Sequence, residues 1–299
     1  MLSERTGGPA VRLVKADFTD RIRKKRAYIA KNWHKPRPEK GWPNGVPNDI
    51  IQRALAILDD RLANPQQANP YLDMCLWKGR FPSRRAQFCT GHLKVEPIDE
   101  FVTRPCLAAG NTVISWQGVR AQESFERSLL PPLQRLAKHD DLPGRFYAYR
   151  PILNWTLEEV FAYADRFGVP RNILYGLGLS RVGCFPCINA SKREISLVDR
   201  VFPEQIARLE AWERLVSEAS KRGNSTFFTL VNDPLMSEEV AYEEALTGHK
   251  KLPGTYTLEQ FGVRRMVEWA KTTRGGRQYD LFPDRPTEAP SCAMQGACE

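Results

Sequence analysis

Two cysteines that are separated by two residues form a candidate metal or redox site. Cys184 and Cys187 lie in a glycine-rich segment that Pro186 stiffens. The spacing brings the two sulfurs within about 4 Å of each other, so both thiolates can bind one metal from a tight turn. Taken alone, the pair is compatible with a zinc knuckle, with half of an iron–sulfur site or with a redox-active dithiol.

Further cysteines could complete this site. Cys292 and Cys298 lie close together near the end of the chain, and with the first pair they would make a four-thiolate set. Four thiolates suit a structural zinc or an iron–sulfur cluster, and the spacing does not separate the two. Cys89 follows two arginines, and nearby cations would lower the pKa of its thiol, as a ligand or nucleophile requires. A structural, half-buried thiol explains Cys89 equally well.

Two other cysteines and the histidines carry weaker signals. Cys75 and Cys106 stand apart from the other cysteines, and each is predicted to be a small buried hydrophobic residue. The histidines have no metal-binding spacing, so they are expected to be surface or hydrogen-bonded residues.

A candidate phosphate-binding segment follows a predicted strand. After Gly118, Arg120, Ser124 and Arg127 recur at helical spacing on one face. Guanidinium groups bind phosphate in a bidentate manner, and ligands of open parallel sheets lie beyond the carboxyl ends of the strands. The alternative is a solvated helix face with a Glu–Arg pair.

The composition limits the class of protein. The chain has 299 residues, of which 42% are hydrophobic and 26% charged, as in soluble globular proteins. It has no apolar run long enough for a membrane span and no apparent signal peptide, so the cytoplasm is the expected compartment. Seven cysteines, an odd number, argue against a disulfide framework. The net charge of +9 favours an anionic partner, either a nucleotide or a nucleic acid, although a basic surface can also be inert.

The hydrophobic pattern predicts strands that alternate with helices. A capping box at Thr156 and Glu159 begins the clearest helix, whose buried stripe would run from Val160 to Phe167. This order predicts an α/β fold with a parallel sheet and a mainly helical C-terminal part. Strands are expected at 11–15, at 112–116, where the strand would be buried, and at 145–151; the other helices are expected at 20–33, 49–62 and 203–219.

Taken in order, these segments resemble the phosphoadenosine phosphosulfate (PAPS) and adenosine phosphosulfate (APS) reductase family. That family has a cysteine stretch followed by Lys-Val-x-Pro, then Gly-x-Arg-x-x-x-Ser-x-x-Arg, then a Pro-Ile/Leu-x-x-Trp-Thr helix, and finally Gly-Cys-x-x-Cys. The corresponding segments here are Cys89–Pro97, Gly118–Arg127, Pro151–Tyr163 and Gly183–Cys187. The resemblance covers about residues 10 to 195, and the ordered series makes it specific.

The resemblance implies a fold, a reaction and a set of site residues. The fold would be a Rossmann-like parallel sheet of the adenine nucleotide alpha hydrolase type, over residues 1–198, followed by a helical region over 199–299. The enzyme would reduce a sulfated adenine nucleotide to sulfite with thioredoxin or another thiol donor. Lys94, Arg120, Ser124 and Arg127 would bind the substrate, and Cys298 would be the nucleophile. A four-iron (4Fe–4S) cluster, with zinc as the alternative, would be bound by Cys89, Cys184, Cys187 and Cys292.

The sequence departs from the family pattern, which keeps two other functions open. The phosphate loop Ser-Gly-Gly-x-Asp-Ser is absent, so the sheet is expected to be incomplete at its N-terminal side. Cys89 stands where cluster-bearing relatives have a cysteine pair, and the tail is not the usual Glu-Cys-Gly-x-His. One alternative is a related enzyme that transfers sulfur to DNA or tRNA, which the basic charge would suit. The other is a catalytically inert, zinc-stabilised binding module.

Overall fold

A computed structural model describes residues 13–83, 86–180, 182–228 and 258–273 of the chain. Helices dominate the described part, and a small sheet lies in the middle of the sequence. The α-helices are α1 (Thr19–Asn32), α2 (Asn48–Ala63), α3 (Pro70–Lys78), α4 (Phe88–Thr90), α5 (Glu96–Ile98), α6 (Arg104–Ala108), α7 (Phe125–Ser128), α8 (Leu157–Arg166), α9 (Ile173–Gly176), α10 (Lys192–Val201), α11 (Pro203–Glu218), α12 (Leu258–Phe261) and α13 (Val263–Ala270).

Shorter helical turns join several of these elements. Between α4 and α6 the chain winds almost continuously, with π-helical turns at Gly91–Val95 and Asp99–Thr103. Such turns are rare and often occur at functional sites. Four 3₁₀ turns lie at Pro38–Lys40, Pro65–Gln67, Ala121–Glu123 and Ala137–His139.

The sheet has three strands in the order β1-β3-β2. These are β1 (Thr112–Trp116), β2 (Leu133–Arg135) and β3 (Arg145–Tyr149). β1 and β3 are parallel, with Thr112 opposite Arg145, whereas β2 pairs with β3 in the antiparallel direction. The prediction of a mixed α/β fold is therefore confirmed, and among the described residues its parallel part is a single strand pair.

The hydrophobic core lies among the helices. Ile22 and Ile29 on α1 pack in one cluster with Ala54 and Leu58 on α2. The same cluster takes residues from α3, α10, α11 and α13, and the side chains at its centre are almost completely excluded from water. The amphipathic pattern of these helices explains the arrangement, since each buries one apolar face against the others.

The sheet and its helices are much more open. Trp116 on β1 is 72% exposed, and Phe167, at the end of α8, is 60% exposed. The prediction that residues 112–116 form a buried strand is therefore wrong for the described structure, although the strand bounds are confirmed. The buried stripe predicted from Val160 to Phe167 is also wrong, because no residue of α8 is buried.

Most other predicted elements are confirmed, with one exception. Helices predicted at 20–33, 49–62 and 203–219 match α1, α2 and α11 to within one residue at each end. The strand predicted at 11–15 is wrong at residues 13–15, which are irregular, and residues 11 and 12 lie outside the described part. None of the described helices combines the length and the apolar character that a membrane crossing requires.

Candidate functional site

The Cys-x-x-Cys segment is held on the helical part of the molecule. Cys184 is exposed and Cys187 is half-buried, in the turn that precedes α10. The backbone N–H of Asn189 donates to Sγ of Cys187 over 3.5 Å, and the N–H of Ala190 donates to the Cys187 carbonyl over 3.0 Å. The bond between Phe185 and Pro186 is cis. The turn is therefore ordered around the Cys187 sulfur.

Two helices fix the position of this turn. The guanidinium of Arg208, on α11, donates to the Phe185 carbonyl over 3.3 Å, and the Phe185 ring contacts Phe202 edge-on at 4.9 Å. On the other side, the buried carboxylate of Glu194 accepts hydrogen bonds from Ser180 and from Ser191. Burial raises the pKa of Glu194, but these hydrogen bonds outweigh it, so the pKa is lowered overall.

Cys89 reaches the same region from α4. Burial raises the pKa of its thiol, and the neighbouring charges of Cys184 and Cys187 raise it further. The prediction that nearby cations would lower the Cys89 pKa is therefore wrong, because burial and like charges dominate. The interaction of Cys89 with both Cys184 and Cys187 supports the prediction that the three residues belong to one site.

A fourth cysteine interacts with Cys89, and no sequence signal predicted this. Cys75, on α3, is completely buried; burial raises the pKa of its thiol first, and the charge of Cys89 adds to the effect. We call Cys75, Cys89, Cys184 and Cys187 the cysteine group. Cys75 lies between Met74 and Leu76, in an apolar run typical of core, so its predicted burial is confirmed while its neighbours could not be foreseen.

The hydroxyl of Tyr71 lies beside the cysteine group. It is buried, and its hydrogen bond to the Cys75 thiol lowers the pKa of that thiol, against the effect of burial. Burial raises the pKa of Tyr71, and the charges of all four members of the cysteine group raise it further. The ring of Tyr71 packs on the ring of Trp212, with 5.9 Å between the ring centres. The guanidinium of Arg208, which donates to the Phe185 carbonyl, lies over the same Trp212 ring. The buried hydroxyl therefore donates a hydrogen bond to one sulfur of the cysteine group.

Aromatic rings and cations flank the Cys89 segment. The Arg21 guanidinium lies 4.5 Å from the centre of the Trp77 ring, and it donates to Glu96 over 2.9 Å. Lys78 lies 4.0 Å from the same ring, and Arg80 lies 5.6 Å from the ring of Phe88, the residue before Cys89. Burial and then the charge of Arg21 lower the pKa of Lys78. We call Arg21, Lys78 and Arg80 the cation layer.

The predicted phosphate-binding residues lie in the sheet part. Ser124 is the N-cap of α7, and its Oγ accepts from the Arg127 N–H over 3.2 Å. Glu123 pairs with the guanidinium groups of both Arg120 and Arg127. The structure thus brings Arg120, Ser124 and Arg127 together near the carboxylate of Glu123. The two Glu–Arg ion pairs match the alternative interpretation of this segment, a helix face with a Glu–Arg pair. Their role in binding substrate stays a prediction, as does that of Lys94, which is exposed.

The remaining predicted site residues, Cys292 and Cys298, lie outside the described part of the chain. Their roles as ligand and nucleophile stay predictions. The sequence reasoning also missed the cation layer. A possible signal was the order Trp77-Lys78-Gly79-Arg80, in which cations alternate with an aromatic residue shortly before Cys89.

The cysteine group could bind either a single metal ion or an iron–sulfur cluster, and the two need different spacings between the sulfurs. In the part of the chain that the structure describes, no three His, Cys, Asp or Glu side chains lie close enough to hold one metal ion. The cysteine group nevertheless interacts electrostatically around the Tyr71 hydroxyl. In a cluster, iron and sulfide ions lie between the thiolates, so its ligands stand farther apart than those of one zinc ion. The donor set is all sulfur, which is the chemistry that an iron–sulfur cluster requires.

The segment that contains the cysteine group is similar to a known protein family. A family model for the phosphoadenosine phosphosulfate reductase domain matches residues 58–190, which include the whole cysteine group. An uncharacterised 37.8 kDa protein of Escherichia phage 186 is 44% identical over 98% of this chain and 81% of its own length. No solved structure matches.

Two adenosine 5′-phosphosulfate reductases match part of the chain. An adenosine 5′-phosphosulfate reductase of Allochromatium vinosum is 30% identical over 48% of this chain and 52% of the reductase. One from Neisseria meningitidis serogroup A is 32% identical over 38% of this chain and 44% of the reductase. The chain belongs to the phosphoadenosine phosphosulfate reductase family, as the ordered motifs predicted.

Proposed function

We propose that the chain reduces a sulfated adenine nucleotide, APS or PAPS, to sulfite with a thiol donor, and that it carries an iron–sulfur cluster. The observation that carries the proposal is the cysteine group, which assembles within the segment that matches the reductase domain. The names of the related reductases support the substrate class.

Cys89, Cys184 and Cys187 would hold the cluster. The fourth ligand is Cys292, as predicted, or Cys75, whose thiol interacts with that of Cys89. When bound, a four-iron cluster would place a concentrated charge beside the substrate sulfate. If Cys75 is a ligand, the Tyr71 hydroxyl would donate a hydrogen bond to a ligand sulfur.

The reaction needs two thiols. A cysteine thiolate attacks the sulfur of the sulfate group, the bond from that sulfur to the phosphate oxygen breaks, and the nucleotide leaves with the oxygen. The enzyme then carries the sulfonate on its cysteine. A donor thiolate attacks that cysteine sulfur, sulfite leaves with the electron pair of the sulfur–sulfur bond, and a disulfide remains. Cys298 is the candidate nucleophile, since a thiolate is required.

The cation layer would bind the anionic part of the substrate. Lys78 and Arg80 lie within cation–π distance of the ring of Phe88, the residue before Cys89, so an anion bound there would be next to the cysteine group. Among the described residues, neither side chain forms an ion pair with a carboxylate, so their charges are available to phosphate or sulfate oxygens.

Sulfite release tests this proposal. Anaerobically purified protein should release sulfite from APS or PAPS when dithiothreitol or thioredoxin is supplied. Cys298→Ser should lower the rate by roughly a thousandfold or more, since the nucleophile is lost. Arg80→Gln should raise KM by about tenfold, the value of one charged hydrogen bond.

A matched control separates chemistry from folding. Cys106 lies on α6, outside the cysteine group, and Cys106→Ser should leave the sulfite rate unchanged. Absence of sulfite from both nucleotides in cluster-loaded protein would contradict the reductase proposal. A Cys298→Ser variant as active as wild type would contradict the role of that residue.

A further inference from the structure

A second set of cations lies around a buried indole, that of Trp33. Lys25, on α1, lies 5.7 Å from the centre of the Trp33 ring, and Lys221, just beyond α11, lies 5.2 Å from it. Trp33 itself is buried. Two ammonium groups from distant parts of the chain thus lie close to one aromatic side chain, which cation–π attraction favours.

Two more cations, in the segment after α1, act on Lys221. The charges of Arg37 and Lys40 act on Lys221, and together with burial, the larger cause, they lower its pKa. Burial and then Lys221 lower the pKa of Lys25. Lys221 therefore repels each of the other three side chains, Lys25, Arg37 and Lys40, and we call the four residues the Trp33 patch.

Nearby cations on α1 form ion pairs with carboxylates, whereas the cations of the Trp33 patch do not among the described residues. On α1, Arg23 pairs with Asp20, and Arg26 pairs with Asp59 through two hydrogen bonds. Within the described residues, no member of the Trp33 patch forms an ion pair. The carboxyl end of α3 lies near Lys25, but a helix end carries only about half an elementary charge. The patch thus retains most of its positive charge.

The patch continues toward the candidate active site. Lys25 lies one helical turn after Arg21 of the cation layer, so both project from the same face of α1. Lys24, Lys31 and Lys35, in the same stretch of chain, are also exposed. Arg21 pairs with Glu96, but the other cations of this strip form no ion pair among the described residues, and several such cations suit a polymeric anion better than a single phosphate group.

We propose that the Trp33 patch binds the phosphodiester backbone of a nucleic acid. Lys25 and Lys221 would contact phosphates at the centre of the strip, and Arg37 and Lys40 would contact them from the loop. The contacts are to backbone oxygens, so they would set affinity and position but would not read sequence. This inference is independent of the proposed reductase activity, which sulfite release tests separately.

Fluorescence anisotropy tests the inference with a labelled mixed-sequence DNA duplex and a labelled RNA stem-loop. Both should bind, with a log Kd that rises steeply with log salt concentration. The double variant Lys25→Gln/Lys221→Gln should bind roughly tenfold more weakly, and its salt slope should fall by about two, one for each lost phosphate contact. Arg37→Gln/Lys40→Gln, in a loop, should have the same effect and does not disturb the helices.

The matched control removes two charges elsewhere. Lys138 pairs with Asp99 and Lys271 pairs with Asp199, so Lys138→Gln/Lys271→Gln changes the net charge equally without touching the patch. This control should keep the affinity and slope of the wild type. The inference is overturned if wild type binds neither probe, or if both patch variants keep the wild-type salt slope. Equal losses in the control and the patch variants would show that only net charge matters, and would also overturn it.

Discussion

The helical half of the molecule and its sheet half use apolar residues in different ways. In the helical half, formed by α1, α2, α3, α10, α11 and α13, apolar faces pack into one cluster. In the sheet half, residues 112–177, large apolar side chains are exposed, as Trp116 and Ile173 are, or half-buried, and Ala148 and Leu153 are the buried apolar residues. Both halves have clear periodic patterns, but only the helical half buries them.

This difference shows what a hydrophobic pattern can and cannot predict. Periodicity identifies the apolar face of an element, because it follows from the geometry of a helix or strand. It does not show whether another surface covers that face. The cysteine group lies in the helical half, where dense packing can hold ligands in place, whereas the Arg120–Glu123–Arg127 cluster lies in the open half.

The largest expected effect comes from a matched pair of isoleucines. Ile22 is completely buried in the helical half, and Ile114, on β1, is 51% exposed. Ile22→Ala should lower the free energy of unfolding by about 2–5 kcal/mol, because it leaves a cavity in a packed core. Ile114→Ala should lower it by less than about 1 kcal/mol. Urea denaturation measures both, and equal losses would show that the sheet half is as well packed as the helices.

A buried carboxylate should make the helical half sensitive to pH. Burial raises the pKa of Glu213 to about 7, although its oxygens accept hydrogen bonds from the N–H groups of Phe227 and Val263, each over 2.7 Å. The folded state therefore holds a proton that the unfolded state releases near pH 4.5. This group stabilises the fold fully below that pH, and about 3 kcal/mol is lost as the pH rises to 7 and above.

The measurement is the free energy of unfolding between pH 5 and 8, by urea denaturation. Glu213→Gln should remove this decline, whereas Glu218→Gln, at an exposed position on the same helix, should keep it. A wild-type decline that persists in Glu213→Gln would mean that other groups cause it.

The smallest expected effect on stability comes from replacing the N-cap residues of two helices. Ser191 and Thr156 each form a capping box, at α10 and α8 respectively. Ser191→Ala should cost about 1–2 kcal/mol, because the buried Glu194 of its box also holds Ser180. Thr156→Ala, in the exposed box, should cost about 0.5 kcal/mol. Thermal melting measures both losses of stability. A larger loss for Thr156→Ala than for Ser191→Ala would contradict the expected order.

The sequence predicted the local elements better than their surroundings. The bounds of α1, α2, α11 and β1 followed from periodicity, and the box at Thr156 followed from its Glu three residues later. These signals are local. The exposure of β1 and α8 depends on what packs against them, which no local signal contains.

The candidate site could be predicted only in part for the same reason. Cys89, Cys184 and Cys187 were expected to act together from spacing and resemblance, and their mutual electrostatic interaction supports this. The direction of the Cys89 pKa shift was wrong, since sequence neighbours suggested cations while the fold supplies burial and thiols. Cys75 joins the group through the packing of α3, and nothing in its own segment distinguishes it from core.

Metal analysis of anaerobically purified protein tests the central claim most directly, namely that the cysteine group holds an iron–sulfur cluster. We expect a brown protein that contains iron and acid-labile sulfide in equal amounts, about four of each per chain for a four-iron cluster. Cys89→Ser should lose most of both, and Cys106→Ser should keep them. A colourless protein with one zinc and no sulfide would contradict the claim.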